Sequence, residues 1–269
     1  DLKIEENYLR MMREVQPLGI IYACNPSFSR QVAELSGEIP VVVISNRDDE
    51  FSIDAVALNN QKPGILMARH LLELGHRDVA FIAPPLTARQ HQRQKRVGGF
   101  LMEFEKAGLS DHVLVRSAAD SKDTEIPNIE SEYRMGYDLT VELLREGQPV
   151  TAIAALNDMM AFGAMDAMKA AGISYGVDGD VILISFDACT AGLEYVMSGD
   201  INADFECNPL AAPFVEDVIQ QLESGSTPDK EVYMVEHWYV NEDILSSITV
   251  NGEEQELTVV TQEIVDAQY

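Results

Sequence analysis

The residues from Thr151 to Asp187 constrain the fold of this chain more than any other stretch. Two short apolar runs, Thr151–Leu156 and Val181–Phe186, enclose a segment whose apolar residues recur at helical spacing up to Gly172. Apolar runs of this length without alternation are typical of parallel strands that are buried on both faces. A glycine at this position is typical of a helix end. The stretch therefore predicts a strand–helix–strand unit of a parallel sheet.

Polar residues follow both predicted strands at the point where each strand ends. Asn157 and Asp158 follow the first strand, and Asp187 follows the second. The carboxyl ends of parallel strands lie at the same edge of a sheet, and open α/β sheets bind their ligands at this edge. The sequence therefore predicts that this unit forms one half of a binding cleft.

Strand and helix patterns alternate along most of the remaining chain, which predicts an α/β protein with parallel sheets. The predicted helices are 4–15, 28–35, 63–74, 89–107, 136–145, 192–197 and 209–222, and the predicted strands are 18–23, 40–45, 56–58, 79–83, 113–116, 201–205 and 232–240. Residues 120–130 are acidic and polar and predict a long loop. The tail predicts a hairpin of strands 247–250 and 257–260 around the turn Asn251-Gly252.

The charge balance limits the partners of this chain. It has 269 residues and a formal net charge of −26. Such a charge repels phosphates, which argues against direct contact with nucleic acid or an anionic membrane. The alternative is that the charge simply solubilises the surface of a secreted or salt-adapted protein. No apolar run approaches the roughly 18 residues of a membrane span.

Motifs of enzymes, metal sites and cofactor sites are absent from the sequence. There is no GxSxG, HExxH, Walker A or GxGxxG pattern. Cys24, Cys189 and Cys207 lack the spacing of a zinc site, so we expect free thiols, no metal and no cofactor. The acids Asp187 and Glu206 could in principle form a hydrolase pair, but nothing else in the sequence favours one. We expect a protein that is not an enzyme.

Several motifs together resemble the type I periplasmic-binding-protein superfamily, which includes sugar-binding proteins of ATP-binding-cassette importers and effector domains of lac-repressor-like regulators. The segments NDMMAFGAMDAMKAAG and VILISFDA are similar to the ligand side of its second lobe. HLLELGHRDVAFIAPP and RVGGF resemble the regulator version around the first crossover, and INADFECNP resembles the importer version of the second crossover. The resemblance covers about residues 4–240.

The resemblance implies two lobes joined by a hinge. The first lobe would comprise residues 1–84 and 207–229, the second lobe residues 85–206 and 230–246, and residues 247–269 would form the hairpin tail. The first strand, helix and second strand of the superfamily have no counterpart here. We therefore expect that the first lobe is incomplete in this chain or that its start lies outside it.

The resemblance also places four side chains around a sugar and suggests a fifth. Asp187 would accept hydrogen bonds from two hydroxyls, and Arg96 would donate in a fork. Asn157 would donate and accept, and Glu206 would be a second acceptor. Asn46, or its neighbour Arg47, would contribute from the first lobe.

Each of these residues has a simpler interpretation. Asn157 is a favoured helix-capping residue, and Asp187 at a strand end is also typical of a turn. Arg96 lies in a run of basic residues that is typical of a solvated helix face. Glu206 could lie in the hinge and face water. Phe186 is interpreted as a core residue rather than a surface that stacks on a sugar.

Three functions remain open at this point. The first is an extracytoplasmic binding protein that captures a monosaccharide and delivers it to the membrane permease of an importer. The second is the effector domain of a cytoplasmic lac-repressor-like regulator, whose DNA-binding part would be separate. The third is the ligand-sensing domain of a membrane receptor. The acidic surface, the second crossover and the hairpin tail favour the importer, whereas GHRDVAFIAPP favours the regulator.

Overall fold

The computed structural model describes residues 2–23, 26–44, 53–57, 59–86, 91–119, 129–229, 231–234 and 236–268. Its α-helices are α1 Leu2–Val15, α2 Ser29–Leu35, α3 Gln61–Glu73, α4 His91–Lys106, α5 Ile129–Glu146, α6 Asp158–Ala171, α7 Thr190–Ser198, α8 Ala212–Glu223 and α9 Gln262–Ala267. Its strands are β1 Ile20–Tyr22, β2 Val41–Ile44, β3 Asp54–Ala57, β4 Val79–Ala83, β5 Val113–Ser117, β6 Ala152–Ala155, β7 Ile182–Asp187, β8 Ala203–Glu206, β9 Glu231–Tyr233, β10 Trp238–Val240, β11 Ser247–Val250, β12 Glu253–Glu256 and β13 Thr258–Val259.

The first of two compact units comprises residues 1–59 and 208–235. Its sheet is parallel and has the strand order β1-β2-β3-β9. Because successive strand residues face opposite sides, Val41 and Val43 pack with residues of α1 and α2, whereas Val42 and Val56 pack with residues of α8. Both faces of this sheet are therefore covered by helices.

The second unit comprises residues 60–207 and 236–269. Its seven-stranded sheet has the order β13-β10-β8-β7-β6-β4-β5, and β10 and β8 are the antiparallel pair. Strands β4 and β6 are fully buried, as expected for central strands of a parallel sheet. The neighbouring strands β6 and β7 are parallel, so their carboxyl ends lie at the same edge.

Helices α3 and α4 contact each other through glycines. A Cβ atom on Gly64 would lie 1.9 Å from the carbonyl oxygen of Arg96, and one on Gly99 would lie 2.3 Å from the carbonyl oxygen of Gln61. Real Cβ atoms do not approach backbone so closely, so the two helix backbones can meet only where side chains are absent. This contact fixes the position of Arg96 on α4.

The predicted fold class is confirmed, and the strand–helix–strand unit forms as expected. Helix α6 begins after Asn157, whose Oδ1 accepts from the backbone N–H of Met160 at 3.1 Å. It ends at Gly172, which has a φ of 70°. Among the described residues, no helix combines the length and hydrophobicity that a membrane span requires.

The structure differs from the prediction in the division of the chain. Residues 60–84 were expected in the first lobe, but they belong to the second unit because β4 pairs with β5 and β6. The predicted strand 232–240 is two strands, since β9 pairs with β3 and β10 pairs with β8.

The tail also differs from the prediction. The hairpin forms, but its second strand is β12, and β13 instead extends the main sheet beside β10. The predicted loop 120–130 lies outside the described residues up to residue 128, and helix α5 begins at Ile129.

The two adjacent glycines of α4 provide a matched test of this packing. We expect Gly99→Ala to lower the free energy of unfolding by about 2 kcal/mol or more, because the added methyl group overlaps the backbone of α3. A Cβ on Gly98 meets nothing within 4 Å, so Gly98→Ala is expected to stabilise the helix by about 1 kcal/mol. Urea unfolding of both variants measures the difference, and equal effects would contradict the close contact.

Candidate functional site

Asp187 ends strand β7 in an unusual backbone conformation. Its φ is 128°, and Ala188, the next residue, has a φ of 51°. Residues other than glycine rarely adopt positive φ, and such conformations persist where surrounding contacts enforce them, often at functional sites. The side chain of Asp187 is partly buried at the carboxyl edge of the sheet.

Asn157 lies at the end of the neighbouring strand and has two roles. Besides capping α6, it donates from Nδ2 to Oε2 of Glu132 at 2.6 Å. The other oxygen of Glu132 accepts from Arg93 at 2.8 Å. The capping interpretation of Asn157 is therefore confirmed, and its amide also belongs to a charged network that links α4, α5 and α6.

Arg96 is buried rather than solvated, with 7% of its surface exposed. It donates from one terminal nitrogen to the carbonyl oxygen of Leu156 at 2.6 Å and from the other to Oδ1 of Asn60 at 2.8 Å. Its guanidinium carbon lies 3.1 Å from the centre of the ring of Phe186, in a cation–π arrangement. Both ends of the guanidinium fork are thus already held by protein groups.

The surroundings of Arg96 and Asp187 shift both pKa values towards neutrality. Burial lowers the pKa of Arg96 to about 10, and the nearby carboxylate of Asp187 opposes this effect. Burial, together with the charge of Asp158, raises the pKa of Asp187 to about 7, although Arg96 stabilises its charged form. Burial therefore makes the ionised form of Asp187 less favourable than that of an exposed aspartate.

Phe186 lies between this polar site and the core. It is 1% exposed, and its ring stacks on that of Phe205 at 5.6 Å. Phe205 in turn contacts Trp238, with ring centres 5.4 Å apart. Phe186 is thus a core residue, as interpreted from the sequence, and it also supports the guanidinium of Arg96.

Glu206 is buried and does not face water. Its Oε2 accepts from the backbone N–H of His237 at 3.0 Å and contacts Nδ1 of the same residue at 2.7 Å. It is paired with Asp187 in the register of β7 and β8. Since one oxygen is engaged with His237, Glu206 has less capacity for a ligand than the sequence suggested.

The structure links three of the five predicted site residues. Asp187 interacts electrostatically with Arg96 and with Glu132, and Glu132 holds Asn157. Glu206 lies at the adjacent strand end and is engaged with His237. Asn46 and its alternative Arg47 lie outside the described residues, as does Cys24.

The sequence did not identify several residues of this site. Glu132 and Asn60 hold Asn157 and Arg96, and both are distant from them in sequence. Glu236 and Cys207 interact electrostatically with Arg96, and burial raises the pKa of Glu236 to about 7. Of these residues, Cys207 could have been identified from the sequence, because it lies shortly after the end of a predicted strand.

The side chains of this arrangement can bind a polar ligand. Among the described residues, no group of three or more histidine, cysteine or acidic side chains is placed to hold a metal ion. A carboxyl group, an amide and a guanidinium supply both donors and acceptors, as a neutral polyhydroxylated ligand requires.

The family of periplasmic binding proteins and sugar-binding domains of the LacI family matches residues 1–200. The chain belongs to this family. The family description names binding proteins and sugar-binding domains rather than enzymes.

Two curated relatives of this family member are regulators of transcription. HTH-type transcriptional regulator DegA of Bacillus subtilis is 29% identical over 192 residues, which cover 70% of this chain and 52% of the relative. HTH-type transcriptional repressor PurR of Actinobacillus pleuropneumoniae is 30% identical over 185 residues, which cover 68% of this chain and 50% of the relative. The chain thus spans about half the length of these curated relatives.

Solved structures of both kinds of family member share this fold. The periplasmic component of the arabinose transporter from Shewanella, bound to L-arabinofuranose, has a TM-score of 0.68 at 23% identity and covers 86% of this chain and 76% of its own. A LacI family regulator from Enterococcus faecium with bound ribose has a TM-score of 0.65 at 20% identity and covers 95% of this chain and 85% of its own.

The contacts of Arg96 predict the cost of replacing it. We expect Arg96→Lys to lower the free energy of unfolding by about 3 kcal/mol, because lysine cannot reach both acceptors and leaves one of them buried without a donor. Chemical denaturation measures this loss. Lys95→Ala, at an exposed position of the same helix, is the control and is expected to change stability by less than about 0.5 kcal/mol. Equal losses in the two variants would contradict a structural role for the buried guanidinium.

Proposed function

We propose that the Asp187 site binds a monosaccharide. The observation that carries this proposal is the position of a partly buried carboxyl group, Asp187, at the carboxyl edge of a parallel sheet. It directly follows Phe186, whose ring packs on the buried guanidinium of Arg96. This edge is where open α/β sheets bind ligands. Membership in a family that includes sugar-binding domains supports the same ligand class.

The chemistry of each group fits a part of such a ligand. The carboxylate of Asp187 can accept from two adjacent hydroxyls, and the amide of Asn157 lies at the neighbouring strand end. Arg96 would retain its protein contacts and present its remaining N–H groups or its positive charge to the ligand. In this proposal the main contribution of Arg96 is its protein contacts and its positive charge, rather than a pair of hydrogen bonds to the sugar.

Isothermal titration of the full-length protein against L-arabinose, D-allose, D-ribose and D-galactose tests this proposal. We expect one sugar to bind, and Asp187→Ala to weaken that binding at least 100-fold, because the ligand hydroxyls lose their charged acceptor. Asp178→Ala, at an exposed acid of the same unit, is expected to leave the affinity unchanged.

Two results would contradict the assignment. Normal sugar binding by the Asp187→Ala variant would show that Asp187 does not contact the ligand. Binding of a planar nucleobase, without binding of any sugar, would show that the ligand is not a monosaccharide.

We infer that the chain is the effector-binding part of a transcriptional regulator. The curated relatives DegA and PurR support this inference, and so does the GHRDVAFIAPP segment. The net charge of −26 is compatible with it if a separate domain contacts DNA. The location would then be cytoplasmic, and the ligand would change the affinity for DNA by favouring one of two conformations.

The second candidate is the binding component of a sugar importer, which the sequence alone favoured. The acidic surface supports it, as does the fold shared with the arabinose-binding protein. Its partner would be a membrane permease, and its location would be outside the cytoplasm. The receptor alternative has no further support.

A fractionation experiment separates the two candidates. Epitope-tagged full-length protein is expected in the cytoplasmic fraction. After cross-linking, it is expected on a small set of DNA sites, and the bound sugar should either weaken or strengthen this DNA binding. Recovery from the extracytoplasmic fraction, without DNA, would favour the importer and overturn the regulator inference.

A further inference from the structure

The turn that carries Asp187 is held by three side chains outside the proposed ligand contacts. Asp204 accepts from the backbone N–H of Ala188 at 3.2 Å, and Asp158 accepts from the backbone N–H of Cys189 at 2.9 Å. Gln268, in the C-terminal tail, donates to the carbonyl oxygen of Ala188 at 2.7 Å. The unfavourable φ values of Asp187 and Ala188 are thus enforced from both sides of the turn.

The two acids in this arrangement are buried and close together. Asp158 is 2% exposed and Asp204 is 0% exposed. A Cβ atom on Gly192 would lie 2.6 Å from Oδ2 of Asp158 and 2.6 Å from Oδ2 of Asp204, so both oxygens line the same small space above this glycine. The two carboxyl groups are within hydrogen-bonding reach of each other.

The hydrogen-bond partners indicate where a proton lies. Asp158 already accepts from Ser185 at 2.6 Å through Oδ1 and from Cys189 through Oδ2. Oδ2 of Asp204 is buried and meets no donor among the described residues. Two adjacent carboxylates cannot both be ionised in such an environment, and one of them keeps its proton. A proton on Oδ2 of Asp204, donated to Oδ2 of Asp158, satisfies every polar atom of the pair.

We propose that Asp158, Asp204 and Gln268 are positioning residues for Asp187, and that Asp158 and Asp204 share one proton in the functional state. The positioning role rests on the proposed function of Asp187, whereas the shared proton does not. The C-terminal tail, through Gln268, then helps to position Asp187. The location of the tail after the α/β body in the sequence did not suggest this role.

Other titratable groups lie near this pair on the neighbouring elements. Burial raises the pKa values of both acids, and the charge of Asp158 also raises that of Asp187. Cys189 on the α7 side and Tyr239 on β10 have pKa values raised to about 12 and stay neutral. Glu206, with its partner His237, lies on the adjacent strand ends.

Asp204→Asn tests the shared proton without any ligand. Unfolded Asp204 ionises near pH 3.9, whereas the folded pair keeps a proton to higher pH, so the native state binds more protons and its stability falls as pH rises. Asparagine donates permanently to Asp158 and removes this slope. Relative to Asp204→Asn, we expect the unfolding equilibrium constant of the wild type to rise up to tenfold per pH unit between about pH 5 and 7.

Two controls sharpen this comparison. Asp178→Asn makes the same substitution at an exposed position and should keep the wild-type slope. Repeating the comparison in an Asp187→Asn background removes the titration of Asp187. Parallel pH profiles for wild type and Asp204→Asn would overturn the shared proton. If Asp204→Asn does not fold, carbon-13 spectra of the wild-type carboxyl groups decide, because two ionised signals at pH 7 would overturn it.

Gln268→Ala tests the positioning role with a substitution that leaves the hydrophobic core intact. We expect faster hydrogen exchange at the amides of Ala188 and Cys189, by about tenfold, and a similar loss of affinity in the sugar titrations. Gln262→Ala, at an exposed position of α9, is the control and should change neither.

The outcomes separate the two proposals. If no sugar binds but exchange at the turn responds to Gln268→Ala, the proposed function fails and the support of the turn stands. If a sugar binds and Gln268→Ala changes neither exchange nor affinity, the positioning role is overturned.

Discussion

The buried guanidinium of Arg96 is the interaction on which the second unit depends most. It joins the start of α3 through Asn60, the end of β6 through the carbonyl oxygen of Leu156, and β7 through the ring of Phe186. A buried charge is tolerated only when it is paired and hydrogen-bonded. The same requirement fixes the relative positions of the elements that carry Asn157 and Asp187.

Two further features support this arrangement: the close backbone contact of α3 and α4, and a pair of buried carboxyl groups. Gly64 and Gly99 let α3 and α4 approach so closely that Arg96 reaches the strand ends. Beyond the end of β7, Asp204 and Asp158 accept hydrogen bonds from the backbone of the turn that follows Asp187. The site therefore combines a carboxyl group of raised pKa with a guanidinium of lowered pKa; burial causes both shifts, and each group favours the charged form of the other.

Two functions remain candidates because solved structures of a transporter component and of a LacI family regulator share this fold. Similarity to solved structures at 20–23% identity identifies the fold alone. The curated relatives, of which this chain spans about half, direct the proposal towards regulation. The distinction depends on what the rest of the protein contacts, and the proposed sugar site is compatible with either role.

The sequence by itself determined the α/β class, the unit around α6 and the position of Asn157 and Asp187 at neighbouring strand ends. These features follow from local hydrophobic patterns and from the parallel pairing of adjacent strands. Only the tertiary structure decided the burial of Arg96, the engagement of Glu206 with His237 and the contact of Gln268 with Ala188. It also placed residues 60–84 in the second unit and split 232–240 into two strands. Such features arise from pairing between residues far apart in the chain, which local periodicity does not encode.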